Sequence, residues 1–207
     1  MHKLLIGTVV PRPIAWMLSR RAGAPATRDP ANYNLAPFSY FNAVSSKPAV
    51  LSTVFSYKAD SADAGDHIKD TLRNIRLHPE YSINVVSGAQ LDAMNATATD
   101  FPPEISELAT LDLAHASCEA IEGLRLTDSL VSFECRLRQE IAVGDGPGSA
   151  VMVLSDVHRI HVSDGIVEEN LHVDINALNP LARLAGNQYA VLGEILERER
   201  KPFHPRE

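Results

Sequence analysis

Leu130-Val131-Ser132-Phe133-Glu134-Cys135-Arg136-Leu137-Arg138-Gln139-Glu140-Ile141-Ala142-Val143 alternates apolar and polar residues over most of its length. A period of two places successive side chains on opposite faces of an extended chain. Val131, Phe133, Cys135, Leu137 and Ile141 fall on one face, and Ser132, Glu134, Arg136, Arg138 and Glu140 on the other. Gly144-Asp145-Gly146-Pro147-Gly148 then forces a turn. Residues 150–162 follow as a second β-rich run, so the two predict a long antiparallel hairpin.

Working outward, residues 14–19, 34–43, 50–56 and 81–86 are also strand-like. Asp164-Gly165 marks another tight turn. Many strands joined by short turns favour a closed or nearly closed barrel, because closure removes exposed edges. Helical spacing is rarer. Residues 70–78 carry Leu72 and Ile75 at i, i+3, with Pro79 just beyond the end. Residues 87–97 read as a helix capped by Ser87, with Leu91 and Met94 inward. Pro102-Pro103-Glu104 starts a short helix that ends near Thr110. Residues 180–192 form a fourth candidate, with Leu181, Leu184 and Tyr189 on one side. With no internal repeat and no linker, the expected organisation is one domain over residues 1–193 and a charged, solvated tail over 194–207.

The chain has 207 residues, 45% hydrophobic and 22% charged, which is the composition of an ordinary globular protein. A formal charge of −7 argues against nucleic-acid or anionic-membrane partners, since both demand a basic face. No run approaches the roughly 18–20 apolar residues of a membrane span. The apolar start Leu4-Leu5-Ile6-Gly7-Thr8-Val9-Val10 is cut by Pro11-Arg12-Pro13, unlike a secretory signal, so the expected location is the cytoplasm. Cys118 and Cys135 lack C-x-x-C partners and fit neither a disulfide framework nor a zinc site.

Three segments could carry chemistry. Residues 34–48, Asn34-Leu35-Ala36-Pro37-Phe38-Ser39-Tyr40-Phe41-Asn42-Ala43-Val44-Ser45-Ser46-Lys47-Pro48, mix hydroxyls and amides with three aromatics. That mixture suits either a pocket wall for a flat ring or a core strand followed by a serine-rich turn. His67-Ile68-Lys69-Asp70-Thr71-Leu72-Arg73-Asn74-Ile75 opens a helix. Free N–H groups and the positive end of the dipole there suit a phosphate, with Lys69 and Thr71 at hand. The alternative is an Asp70 or Thr71 cap with Lys69 in solvent. Pro11-Arg12-Pro13-Ile14-Ala15-Trp16 is a stiff entry into a strand. Its Arg12 could face a phosphate, a ring edge or a surface carboxylate.

In this order and spacing, Val10-Pro11-Arg12-Pro13-Ile14-Ala15-Trp16, Asn34 to Asn42 and Lys69-Asp70-Thr71-Leu72-Arg73-Asn74-Ile75 resemble the flavin reductase-like family of FMN-binding split barrels, the flavoredoxin type. Ala93-Met94-Asn95, Phe101-Pro102-Pro103-Glu104, Glu134-Cys135-Arg136-Leu137 and Ala182-Arg183-Leu184-Ala185-Gly186 followed by Tyr189 extend the resemblance over roughly residues 5 to 192. It implies a mainly β fold, a six-stranded Greek-key split barrel, with FMN at the interface of a homodimer. Ser39, Tyr40, Phe41 and Asn42 would line the isoalloxazine. Ala43, Val44, Ser45 and Ser46 would offer backbone N–H groups and hydroxyls. Lys69, Asp70, Thr71 and Asn74 would surround the phosphate, with Arg12 nearby. The family's Gly-Gly before its aromatic pair is Ala185-Gly186 here, which leaves a flavin contact from the C-terminal segment open.

The implied activity is that of an FMN-binding oxidoreductase, with NADH or NADPH as electron donor. The rival is an FMN-binding redox carrier with no nicotinamide activity of its own. Flavin supplies the chemistry, so no catalytic acid, base or nucleophile is assigned. A pyridoxamine-phosphate type of oxidase would need a second basic phosphate pocket, and none stands out. Other signals are set aside. His172-Val173-Asp174 needs a third ligand for a facial iron site, and the later histidine, His204, lies in the tail. His158 and His161, three apart on a strand, point to opposite faces. The glycine-rich turn at 144–148 opens no helix and is no dinucleotide fingerprint. Asn95-Ala96-Thr97 is a sequon with no signal peptide.

Overall fold

The computed structural model describes residues 2–57, 68–145 and 148–202. Strands dominate them. In chain order come α1 (His2–Thr8), β1 (Arg12–Pro13), β2 (Ala15–Arg20), β3 (Tyr33–Phe38), β4 (Phe41–Ser46) and β5 (Ala49–Ser56). After α2 (Asp70–Leu77) follow β6 (Glu80–Val85), α3 (Leu91–Ala96), α4 (Glu107–Thr110), β7 (His115–Ser117) and β8 (Leu124–Leu126). The long strands β9 (Val131–Val143) and β10 (Ala150–Val162) precede α5 (Ile175–Leu178), β11 (Ala182–Arg183) and β12 (Tyr189–Ala190).

Seven strands form one antiparallel sheet in the order β3-β2-β6-β9-β10-β5-β4. The count is seven and not six because the run at 34–43 breaks at Ser39-Tyr40. One half becomes β3 and the other β4, and these are the two edges of the sheet. Only Ser39 and Tyr40 separate the two edges along the chain, so the sheet must curl until they meet at that corner. The corner is pinned by a hydrogen bond from Val54 N to the Tyr40 carbonyl, 2.8 Å. Phe38 on β3 also packs on Phe55 of β5, with ring centroids 4.6 Å apart.

Both faces of the central strands are covered. Ala15 and Met17 of β2 join Phe55, Tyr81, Ile83, Cys135, Val151 and Val153 inside the curl, where α2 inserts Leu72 and Ile75. The alternate residues Ile14, Trp16 and Leu18 pack on the other side with Leu35, Met94, Leu108, Leu124 and Leu126. Trp16 is fully buried and donates from its indole to Thr97 Oγ1, 2.8 Å. Burying a side chain of that kind contributes about 2–3 kcal/mol, and the bond removes the cost of hiding its N–H.

The decisive hairpin forms as expected, with two differences. Ser132 and Glu134, on the polar face, are fully buried, because the β7–β8 hairpin and residues 119–120 lie over them. Asn84 on β6 ties that cover down, accepting from Leu126 N at 3.0 Å and from Ser132 Oγ at 2.8 Å. Glu134 accepts from Glu119 N and Ala120 N and lies 2.5 Å from His161 Nε2. Burial alone would raise its pKa, but these three bonds favour the carboxylate and bring it below the usual value. The second difference is Ile141. The register slips at Arg138, where Ser155 opposes Leu137 but Leu154 opposes Gln139. One extra residue reverses the facing of everything beyond it. Ile141 therefore turns outward, and Glu140 turns toward α2, where it accepts from Arg76 Nε at 2.9 Å.

Residues 180–192 are not helical. Leu181 N bonds the Val86 carbonyl, β11 pairs with β1, and the chain reverses through Gly186 at φ 56° into β12. The apolar spacing of Leu181, Leu184 and Tyr189 served a strand–turn–strand, since the left-handed glycine and the β1 edge outweigh weak helical spacing. Residues 191–202 carry no regular secondary structure. Among the described residues, no helix is long and apolar enough to cross a membrane.

Candidate functional site

The Ser39-Tyr40 corner opens onto a cavity of about 330 Å³. Pro37, Phe38 and Val54 give it an apolar wall; Ser39, Ser56 and Lys69 give it hydroxyls and a cation. Tyr40, Ile6 and Arg12, together with Arg183, Leu184 and Gly186, complete its lining. Two further cavities continue the same groove. One of about 230 Å³ shares Pro37, Phe38, Ser39 and Arg183, and adds Ile14, Met94, Ala98 and Tyr189. One of about 550 Å³ shares Ala98, Arg183 and Tyr189, and adds Leu91, Asp92, Asn95 and Asn187. Concave, partly apolar space with a few converging polar groups is the usual form of a small-molecule site.

Arg12 is a cross-tie. It is almost fully buried and donates to the carbonyls of Ile6 (2.7 Å), Val9 (2.5 Å) and Leu184 (2.7 Å), with its guanidinium 5.9 Å from the Tyr40 ring centre. It thus joins the end of α1, where carbonyls lack helical partners, to β11 and the corner. Most of its donors are spent on the protein.

The 39–46 segment divides. Ser39 and Tyr40 line the groove, while Phe41 packs its ring against the barrel interior. Asn42, Ala43, Val44, Ser45 and Ser46 run away along the exposed edge strand. There Asn42 Oδ1 accepts from Ala43 N (2.9 Å) and Ser45 Oγ from Lys47 N (3.2 Å), and Val44 is 54% exposed at a register slip.

The start of α2 also divides. Lys69 lines the groove, and it has no ion-pair or hydrogen-bond partner for its ammonium among the described residues. It is the helix-capping position but supplies no side-chain cap, so among the described residues the first N–H groups of α2 keep no side-chain partner. Asp70 instead pairs with Arg73. Thr71 and Asn74 face inward and are buried. Thr71 Oγ1 donates to Asn34 Oδ1 (2.8 Å); Asn74 accepts from Ala22 N (2.8 Å) and donates to Ser19 Oγ (3.2 Å). Asn34 Nδ2 and Leu35 N donate to the two oxygens of Glu107, at 2.8 and 2.9 Å. Burial raises the Glu107 pKa against the pull of these donors. His67 lies outside the described residues.

Sequence reasoning did not nominate Val54 and Ser56. The signal was there: Leu51, Thr53 and Phe55 are buried, so Ser52, Val54 and Ser56 must share the opposite face of β5. Of the metal candidates, His204 lies outside the described residues. Asp174 caps α5, accepting from Asn176 N and Ala177 N, and among the described residues no three His, Cys, Asp or Glu side chains are grouped for a metal.

Residues 6–182 match the family model of the flavin reductase like domain. An uncharacterized protein of Aquifex aeolicus is 33% identical over 189 residues, covering 91% of this chain and 88% of its own. Nitrilotriacetate monooxygenase component B from Bacillus cereus superposes with a TM-score of 0.83 at 30% identity, over 95% of this chain and 91% of the other. The 2-nitrobenzoate 2-nitroreductase NbaA of Pseudomonas fluorescens superposes with a TM-score of 0.80 at 25% identity, over 99% and 92%. A match over residues 6–182 takes in every strand of the curled sheet and the Ser39-Tyr40 corner, ends just before Arg183, and covers far more than half of the sequence; the chain belongs to the flavin reductase like domain family.

Proposed function

We propose that the groove holds FMN and that the protein is an NAD(P)H-dependent flavin reductase. The observation that carries this reading is the pairing, in one cavity, of an apolar wall at Pro37, Phe38 and Val54 with Lys69, a cation without a partner among the described residues, beside the start of α2. A flat ring lies against the first, with Ser39 and Tyr40 at its edge, and a phosphate takes the second. Arg12 holds the floor and the Tyr40 ring in place. Thr71, Asn74 and Asp70 act indirectly, by fixing α2 so that Lys69 points at the anion. Flavin, when bound there, would supply two-electron redox chemistry with a nicotinamide as donor. The chain's own part is to hold the ring, keep one face accessible and limit water.

Asn42 to Ser46 form an exposed sheet edge carrying Val44, and such an edge favours cover. In the proposed homodimer a second copy supplies it and narrows the open groove; the expected setting is the cytoplasm. Purified protein should be yellow, or become so on titration with FMN, and should sediment as a dimer. Stopped-flow mixing with NADH and with NADPH should bleach the flavin band on a catalytic timescale. Bleaching by neither would reduce the protein to a redox carrier. Failure to take FMN at high micromolar concentration would end the proposal.

A further inference from the structure

We propose that Arg183, backed by Tyr189, binds an oxyanion, a carboxylate or phosphate, carried by the molecule that exchanges electrons with the flavin. The groove between α3 and the β11–β12 turn is that molecule's site. This rests on the flavin reading above.

Arg183 is the residue shared by all three cavities of the groove, so it stands where the flavin pocket passes into the larger space beyond. Three described cations line this groove, and their states differ. Arg12 is buried and tied to three carbonyls, and Lys69 sits at the far end beside α2. Arg183 is half-buried, and among the described residues its hydrogen bond is from Nη2 to the Gly186 carbonyl. A guanidinium has five N–H donors, so most remain for a ligand.

Its plane is also fixed. The guanidinium carbon lies 4.5 Å from the Tyr189 ring centre. Tyr189 is in turn held across the groove by its hydroxyl, which donates to Asn95 Oδ1 at 3.1 Å. The backbone beneath is strapped to β1 by the Arg12–Arg183 pairing. A stacked, anchored guanidinium presents its fork to a carboxylate or phosphate with little entropy left to lose. Asp92 on the same groove discourages ligands carrying negative charge along their whole length. The shape that fits is a flat body directed toward the flavin pocket with one anionic end at Arg183. An aromatic acid and a nicotinamide dinucleotide, through its pyrophosphate, both meet that description.

The test compares wild type with Arg183→Gln, each loaded with FMN. Three quantities are read: the Kd for FMN, the KM for NADH, and the Ki of benzoate as a small aromatic carboxylate. Loss of a charge-assisted fork should raise the affected constant about tenfold or more, while the FMN Kd changes less than about threefold. A rise in KM for NADH assigns the oxyanion to the dinucleotide; a rise confined to the Ki of benzoate assigns it to a carboxylate acceptor. Tyr189→Leu, which keeps Arg183 but removes the stack, should give a smaller rise of about threefold in the same constant, and serves if Arg183→Gln does not fold. Unchanged NADH and benzoate constants in a variant that still takes FMN would overturn this inference alone. An equal loss of FMN affinity would overturn it too, by moving Arg183 into the flavin site. Wild-type protein that refuses FMN removes the underlying reading as well.

Discussion

Two groups of polar side chains flank the first turn of α2, and they have opposite fates. Inward lie Thr71, Asn74, Asn34, Ser19 and Glu107, nearly out of reach of water and bonded to one another or to backbone. Outward lie Lys69, Ser39 and Ser56, lining a cavity, with no partner for the Lys69 ammonium among the described residues. Both groups combine hydroxyls with one charged side chain, so residue type alone does not separate them. What separates them is how far their donors and acceptors are already filled. A filled network fixes structure, because any loss leaves a buried group unpaired. An unfilled one, on a concave apolar wall, is free to recognise a ligand.

The contrast is open to attack first through its inner member. Glu107→Ala strands Asn34 Nδ2 and Leu35 N in the interior and should lower unfolding free energy by about 2–4 kcal/mol. Urea denaturation showing a loss under about 1 kcal/mol would mean that the network is not what holds β3 to α4. The outer member should behave the other way. Lys69→Gln should weaken FMN about tenfold, or about 1.4 kcal/mol, while stability moves less than about 0.5 kcal/mol. A large loss of stability with FMN affinity intact would invert the assignment. Smaller again is Ser39→Ala, for which we expect about a three- to fivefold loss of FMN affinity, the size of one neutral hydrogen bond; flavin fluorescence titration reads it directly.

The gentlest probe is pH, and it distinguishes two buried carboxylates of opposite sign. Glu107 has its pKa raised above the ordinary 4.5, so the native state holds that proton more tightly than the unfolded chain. Its penalty is absent below pH 4.5 and complete above the raised value, so stability falls as pH rises through that window. Glu134 is lowered below 4.5 and stabilises above that pH; the contribution is lost as pH falls through the lowered value. Thermal melts across the acid range should therefore lose the first slope in Glu107→Gln and the second in Glu134→Gln. Profiles parallel to wild type in both variants would sink the account.

Much of the frame was legible because it rests on local rules. The alternation of 131–143, the turn after it and the answering run at 150–162 specify a hairpin through side-chain facing alone. The turn's Gly146 and Pro147 lie outside the described residues. The α2 helix and the piece that follows Ser87 were equally readable from apolar spacing and caps, whereas the helix expected to start at Pro102-Pro103-Glu104 begins only at Glu107, capped by Ser106. The Ile141 facing was not, since a bulge at Arg138 depends on what the partner strand demands. Nor was the strand–turn–strand at 182–190, which exists because β1 offers an unpaired edge.

The sequence by itself determined that this chain builds an antiparallel sheet from its own alternation, and the spacing of its motifs pointed to the family. Only the tertiary structure decided which polar residues of those motifs remain available. Thr71 and Asn74 are one and four residues inside a helix whose inner face packs into the barrel, so their side chains are consumed there. Lys69, at the helix mouth, is not. Satisfaction of a hydrogen bond is a property of three-dimensional neighbours, and linear spacing carries no record of it.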